Sequence, residues 1–92
     1  MNTTQLECFV NIANTLNFIK TAELMSLSQP AVSRQIQALE NELGVRLISR
    51  TTRSVSLTEA GERFLPDATD MLHTFYHSRD TLSSFNASRQ KA

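Results

Sequence analysis

The feature that most constrains this chain is a change of hydrophobic period at Gly44. Before it, apolar residues recur at three and four; after it they alternate, Val45 and Leu47 first, then Val55 and Leu57 beyond a Thr51-Thr52-Arg53-Ser54 turn. A helix therefore stops at Gly44, which takes the left-handed conformation at no steric cost, and a short two-stranded ribbon follows. The start of that helix is equally sharp. Ser28 is a good N-cap, and Pro30 fits only a first turn, where amides have no intrahelical partner, so the helix reads from about Gln29 to Leu43.

Upstream, Leu6, Phe9, Val10, Ala13 and Leu16 mark an amphipathic helix from Thr3 to Leu16, capped by Thr3 or Thr4, with Glu7 near the favourable end of its dipole. A shorter helix reads from about Phe18 to Met25, with Asn17 as its cap because Ile19 offers no hydroxyl. Only Ser26-Leu27-Ser28 separates it from the third helix. Downstream of the ribbon, Thr58 caps a helix from Glu59 to at least Phe85, and Pro66 lies far enough inside to predict a local kink. This order predicts a mainly α fold: a winged helix-turn-helix of three helices and a two-stranded wing over 1–58, a long dimerisation helix over 59–86, and a flexible tail over 87–92.

With 92 residues, 40% of them hydrophobic, the chain can build one small core and one element packed outside it. No stretch approaches the roughly 20 apolar residues of a membrane span, and Met1-Asn2-Thr3-Thr4-Gln5 lacks the basic and apolar regions of a secretory signal, so a cytoplasmic protein with no membrane partner is expected. The single cysteine, Cys8, sits by an apolar stripe and reads as a small buried hydrophobe. There is no glycine-rich phosphate loop and no arrangement suggesting an activated nucleophile, so no catalytic residues and no enzyme are expected. His73 and His77 have a spacing that can bind zinc. Without a Glu between them or a cysteine nearby they read as surface or dimer-edge histidines, and no metal or cofactor is expected in this chain.

On a wheel at about 100° per residue, Val32, Ile36, Leu39 and Leu43 form one inward stripe of the third helix. Pro30, Ser33, Arg34 and Gln37 occupy the opposite face, with Gln29 at its N-terminal margin, while Glu40 and Glu42 are held back to the C-terminal end. An ordinary solvated face has this composition too. Its position is what distinguishes it, since a helix-turn-helix presents its base-reading residues there, where Arg forks onto guanine and Gln onto adenine. At the ribbon tip Arg53 suits a narrow A·T-rich minor groove, and Arg50 at its base suits a flanking phosphate. Formal net charge is zero, which ordinarily argues against a nucleic-acid partner. Distribution outweighs the sum: Val45 to Thr58 carries Arg46, Arg50 and Arg53 and no acid, whereas Glu59 to Asp80 carries five acids against Arg63 and Arg79.

In the last helix, Phe64, Ala68, Met71, Phe75, Ser78, Leu82 and Phe85 step by four and three, the seam of a coiled coil. Folding of the seam onto the first helix is the alternative, and its start near Phe64 and Leu65 suits that role. A homodimer through this helix is predicted, placing two recognition helices to read an interrupted palindrome in double-stranded DNA.

The run Leu27-Ser28-Gln29-Pro30-Ala31-Val32-Ser33-Arg34-Gln35-Ile36, continuing to Leu39-Glu40 and Leu43-Gly44-Val45-Arg46-Leu47, resembles the signature of the LysR-type transcriptional regulators, and Val55-Ser56-Leu57-Thr58-Glu59-Ala60-Gly61 resembles their wing-to-linker junction. The resemblance spans nearly the whole chain. It implies a sequence-specific DNA-binding regulator with Gln29, Pro30, Ser33 and Arg34 at bases in the major groove and Arg53 in the minor groove. It also implies Ser28 at the DNA backbone and an apolar contact from Ala31. Complete members pair through the linker helix and carry a C-terminal domain for a small-molecule effector, a tetramer being one full-length option. An excised piece of such a protein is expected, a natural short form being the alternative. Ile19 stands where the family usually has Ser or Thr, Thr21 where it has Ala, and Ile48 where an aromatic is common.

Overall fold

Three helices, α1 (Thr3–Thr15), α2 (Phe18–Met25) and α3 (Gln29–Leu43), precede a hairpin of β1 (Ile48–Arg50) and β2 (Val55–Leu57) and a final helix, α4 (Glu59–Lys91). This computed structural model describes residues 1–85, with α4 assigned as far as Lys91; the tail expected over 87–92 lies outside the described residues.

Local chemistry sets most element ends. Asn17 and Ser28 cap α2 and α3 by accepting the amides of Lys20 at 2.9 Å and Ala31 at 3.2 Å, and Gly44 ends α3 with φ 74°. The cap of α1 is Asn2, not Thr3 or Thr4: its extended backbone lets the side chain accept from Gln5 N at 2.8 Å, which takes both threonines into the helix. The tight connections after α1 and α2 turn through Leu16 and Ser26 in the left-handed region, at φ 52° and 55°. For these non-glycine residues that conformation costs on the order of 1 kcal/mol each, and both return an amide to the preceding helix.

The core gathers Leu6, Phe9 and Ile12 of α1, Phe18 and Ala22 of α2, and Val32, Ile36 and Leu39 of α3, closed by Leu47, Ile48, Ala68 and Leu72. Thr21 is also fully buried, and its hydroxyl lies 3.1 Å from that of Thr15. Thr15 Oγ1 in turn accepts the Asn17 amide at 3.2 Å, so the polar atom is absorbed by the connection it packs beneath.

The ribbon is shorter than the alternation at Val45 suggests. Pairing is antiparallel, Ile48 opposite Leu57 and Arg50 opposite Val55, and Val45 is exposed. The ladder fades at Leu47: its carbonyl still accepts from Thr58 N at 3.0 Å, but its amide, like that of Ile48, donates to the Glu40 carboxylate, at 2.7 and 3.1 Å. Thr58 Oγ1 donates to the Arg46 carbonyl and accepts from Gly61 N at 3.0 Å, fastening the start of α4 to this segment. α4 is assigned unbroken through Pro66; the Glu62 carbonyl that Pro66 deprives of its donor lies on an exposed face, open to water.

Within α4 the heptad positions divide. Phe64 packs on Phe9 with ring centroids 5.5 Å apart, and Ala68 is fully buried, as is most of Leu72. Ala68 is therefore a core residue of the monomer and not part of a surface that a second chain can reach. Met71, Phe75, Leu82 and Phe85 remain exposed at 37–66%.

Candidate nucleic-acid interface

The three-and-four spacing that buries Val32, Ile36 and Leu39 turns the other side of α3 outward. Gln29, Pro30, Arg34 and Gln37 are exposed, and Ser33 is half-buried at the edge. Ser28 stands at the head of this face with its hydroxyl engaged as the cap.

The wing tip is built by Thr51. Its Oγ1 accepts the amides of Arg53 at 3.2 Å and Ser54 at 3.1 Å, while Thr51 N donates to the Ser54 carbonyl at 2.9 Å. This closed turn leaves Arg53 exposed at the apex. Arg50, at the foot of the ribbon, does not project freely as its sequence position suggests. Its guanidinium lies 4.1 Å above the centre of the Phe18 ring and donates to Ser33 Oγ at 3.2 Å.

Two open clefts meet at Arg50. A larger one of about 530 Å³, between α3 and β1, is bordered by Ser33, Gln37, Asn41, Arg46 and Arg50. A smaller one of about 260 Å³, between the start of α2 and the wing, is bordered by Ile19, Gln29, Arg50 and Arg53. Of the residues singled out in the sequence, Gln29, Ser33, Gln37, Arg50 and Arg53 border these clefts, with Ser33 joined to Arg50, whereas Pro30 and Arg34 are exposed on α3 outside them. His73 and His77 are exposed on α4, away from both clefts.

A sequence model described as bacterial regulatory helix-turn-helix protein, lysR family, matches residues 3–62. The chain belongs to the LysR family. Among its relatives, the HTH-type transcriptional regulator ClcR of Pseudomonas putida is 48% identical over 75 residues, 82% of this chain and 26% of ClcR. The crystal structure of a CbnR DBD–DNA complex superposes with a TM-score of 0.85 at 39% identity, covering 91% of this chain and 97% of that one. That of Vibrio fischeri DarR in complex with DNA superposes with a TM-score of 0.88 at 30% identity, covering 94% of this chain and 30% of that one. The chain spans between 23% and 60% of the length of such curated relatives.

Three contributors to this LysR-family surface escape sequence reading. Glu40, which reads as an acid kept away from the groove, is the tether that places β1. Thr51 shapes the apex, and Phe18 is both core residue and platform for Arg50. The Thr51-Thr52-Arg53-Ser54 turn itself is read from the sequence, and the three-residue step from Thr51 to Ser54 is the signal for the hydroxyl that closes it; the long-range partners of Glu40 and Phe18 leave no local trace.

Proposed function

We propose that this chain is the DNA-reading part of a transcriptional regulator, acting as a homodimer on an interrupted palindrome in the cytoplasm, with no enzymatic activity of its own. The observation that carries the reading is that Gln29 and Arg53 border one cleft: the N-terminal end of a recognition helix and the tip of a wing face the same side. Gln29, Ser33, Arg34 and Gln37 read base edges in the major groove, with Pro30 against the groove wall, and Arg53 enters the minor groove. That the LysR-family proteins CbnR and DarR form complexes with DNA supports a DNA partner for this surface. Pairing of two copies runs through Met71, Phe75, Leu82 and Phe85, so that two recognition helices meet successive half-sites. A small-molecule effector belongs to a domain outside this chain.

Selection of bound duplexes from a random pool tests this reading. A symmetric site with two half-sites is expected, and Arg34→Ala should cost about 1–3 kcal/mol on it while relaxing preference at one base pair. Absence of salt-dependent binding to any duplex at low ionic strength would refute it.

A further inference from the structure

Arg50 has more partners than a phosphate contact needs. The residue closes β1 and pairs with Val55, so it stands where the wing leaves the body. Its guanidinium is stacked on Phe18, whose ring is only 6% exposed and therefore fixed by the core, and it donates to Ser33 on the reading face of α3. Arg50, together with the Phe18 ring beneath it, borders both clefts, the one beside Ser33 and Gln37 and the one beside Gln29 and Arg53. A three-residue strand pair has little rigidity of its own, and the turn beyond Arg50, Thr51 to Ser54, is exposed throughout.

We infer that Arg50 is a positioning residue, a brace that holds the wing at a set distance from α3 and so makes sequence discrimination depend on a residue that reads no base. The inference rests on the DNA-reading surface proposed above. A planar guanidinium can stack on a ring and donate to a hydroxyl at the same time, whereas an ammonium on a flexible stem keeps the charge without that fork. With the brace in place, Arg53 and the α3 face are pre-organised for simultaneous contact with adjacent grooves; without it, each must be ordered at the moment of binding. The larger part of that ordering is needed only on the cognate site, where both contacts are made together.

Arg50→Lys separates the brace from the charge. With the 92-residue chain, affinities for a duplex selected from a random pool and for a scrambled duplex of equal composition are measured across a salt series. The variant should keep the salt slope, because the number of charges is unchanged, and lose about tenfold more affinity on the selected duplex than on the scrambled one. Phe18→Leu should lose the same discrimination, and the double variant no more than either. In the absence of DNA, amide exchange at Thr51 and Ser54 should be faster in Arg50→Lys than in the parent, a readout that does not depend on whether Phe18→Leu folds. Wild-type discrimination in Arg50→Lys, equal losses on both duplexes, or unchanged exchange in the wing overturns the brace. Failure of the parent chain itself to bind any duplex overturns the DNA-reading surface, and is seen before any variant is compared.

Discussion

Replacing Gly61 by alanine sets two physical effects against each other, and the structure says which wins. Gly61 lies in the first turn of α4, where alanine has the better helix propensity by about 1 kcal/mol. A Cβ there would lie 2.2 Å from the Leu47 carbonyl oxygen and 3.1 Å from its carbon. Both obstructing atoms are backbone, and that backbone is held from three sides: Leu47 N and Ile48 N by Glu40, and Leu47 O by Thr58 N. Relief therefore requires α4 to back away from the segment, at an overpacking cost of roughly 1–3 kcal/mol plus about 1 kcal/mol for a weakened hydrogen bond. Net of propensity, Gly61→Ala should destabilise by about 2 kcal/mol, which for a domain of this size lowers the melting midpoint by roughly 10 °C. Urea denaturation followed by circular dichroism, at one fixed chain concentration because the proposed pairing would add to stability, should show a lower midpoint with an unchanged m-value. An alanine variant as stable as the parent, or more so, would show that propensity governs the site and that the close approach has no energetic weight.

Other consequences can be checked separately. Glu40→Gln keeps the shape but replaces a carboxylate that accepts two main-chain amides, and should cost about 1–2 kcal/mol in denaturant midpoint while raising amide exchange at Leu47 and Ile48. Phe75→Glu, at an exposed position, should shift micromolar samples from dimer to monomer in sedimentation velocity without lowering helicity, whereas Ala68→Leu, at a fully buried one, should lower the melting temperature instead. The Cys8 thiol, pushed up to about 11 by burial and then by the neighbouring Glu7 charge, should resist an aromatic disulfide reagent at pH 8 until denaturant is added. Because the fold favours the protonated thiol, that contribution is complete below pH 9 and is lost as pH rises through about 11, so a buried-thiol spectral change should accompany alkaline weakening of the fold and be absent in Cys8→Ala.

What was legible in the sequence follows from the range of the interactions that decide it. The caps at Asn17, Ser28 and Thr58 and the stop at Gly44 depend on atoms three or four residues away, and local reasoning reaches them. The same rule fails at the first helix because Asn2 competes with two threonines on equal chemical terms, and only the backbone angle at Asn2 decides. Burial of Ala68 and the posture of Arg50 depend on elements some fifty and thirty residues distant, α1 and α2, whose distances from α4 and the wing no periodicity encodes. Thr21 makes the point from the other side. A hydroxyl in place of the family's usual alanine looks damaging until Thr15, six residues earlier, is seen to meet it across the α1–α2 connection.

Net neutrality, the one bulk property that argues against a nucleic-acid partner, is resolved by pairing. Arg63 is matched by Glu59 at 3.1 Å one turn away, and Arg46 approaches Glu40 at 3.8 Å. Among the described residues, Arg34, Arg50 and Arg53 make no ion pair with any acid, and Arg50 spends its hydrogen bond on a neutral hydroxyl. The acids that balance them in the total, Asp67, Asp70 and Asp80, lie along α4 and not on the α3 and wing surface. Charges farther from a phosphate than the Debye length, about 8 Å at physiological salt, are largely screened, so a phosphate responds to the charges nearest it and not to the sum over the chain. Arg50 and Arg53 at the clefts and Arg34 on the exposed side of α3 therefore give a chain of zero net charge a locally positive face, as the DNA reading proposed above requires.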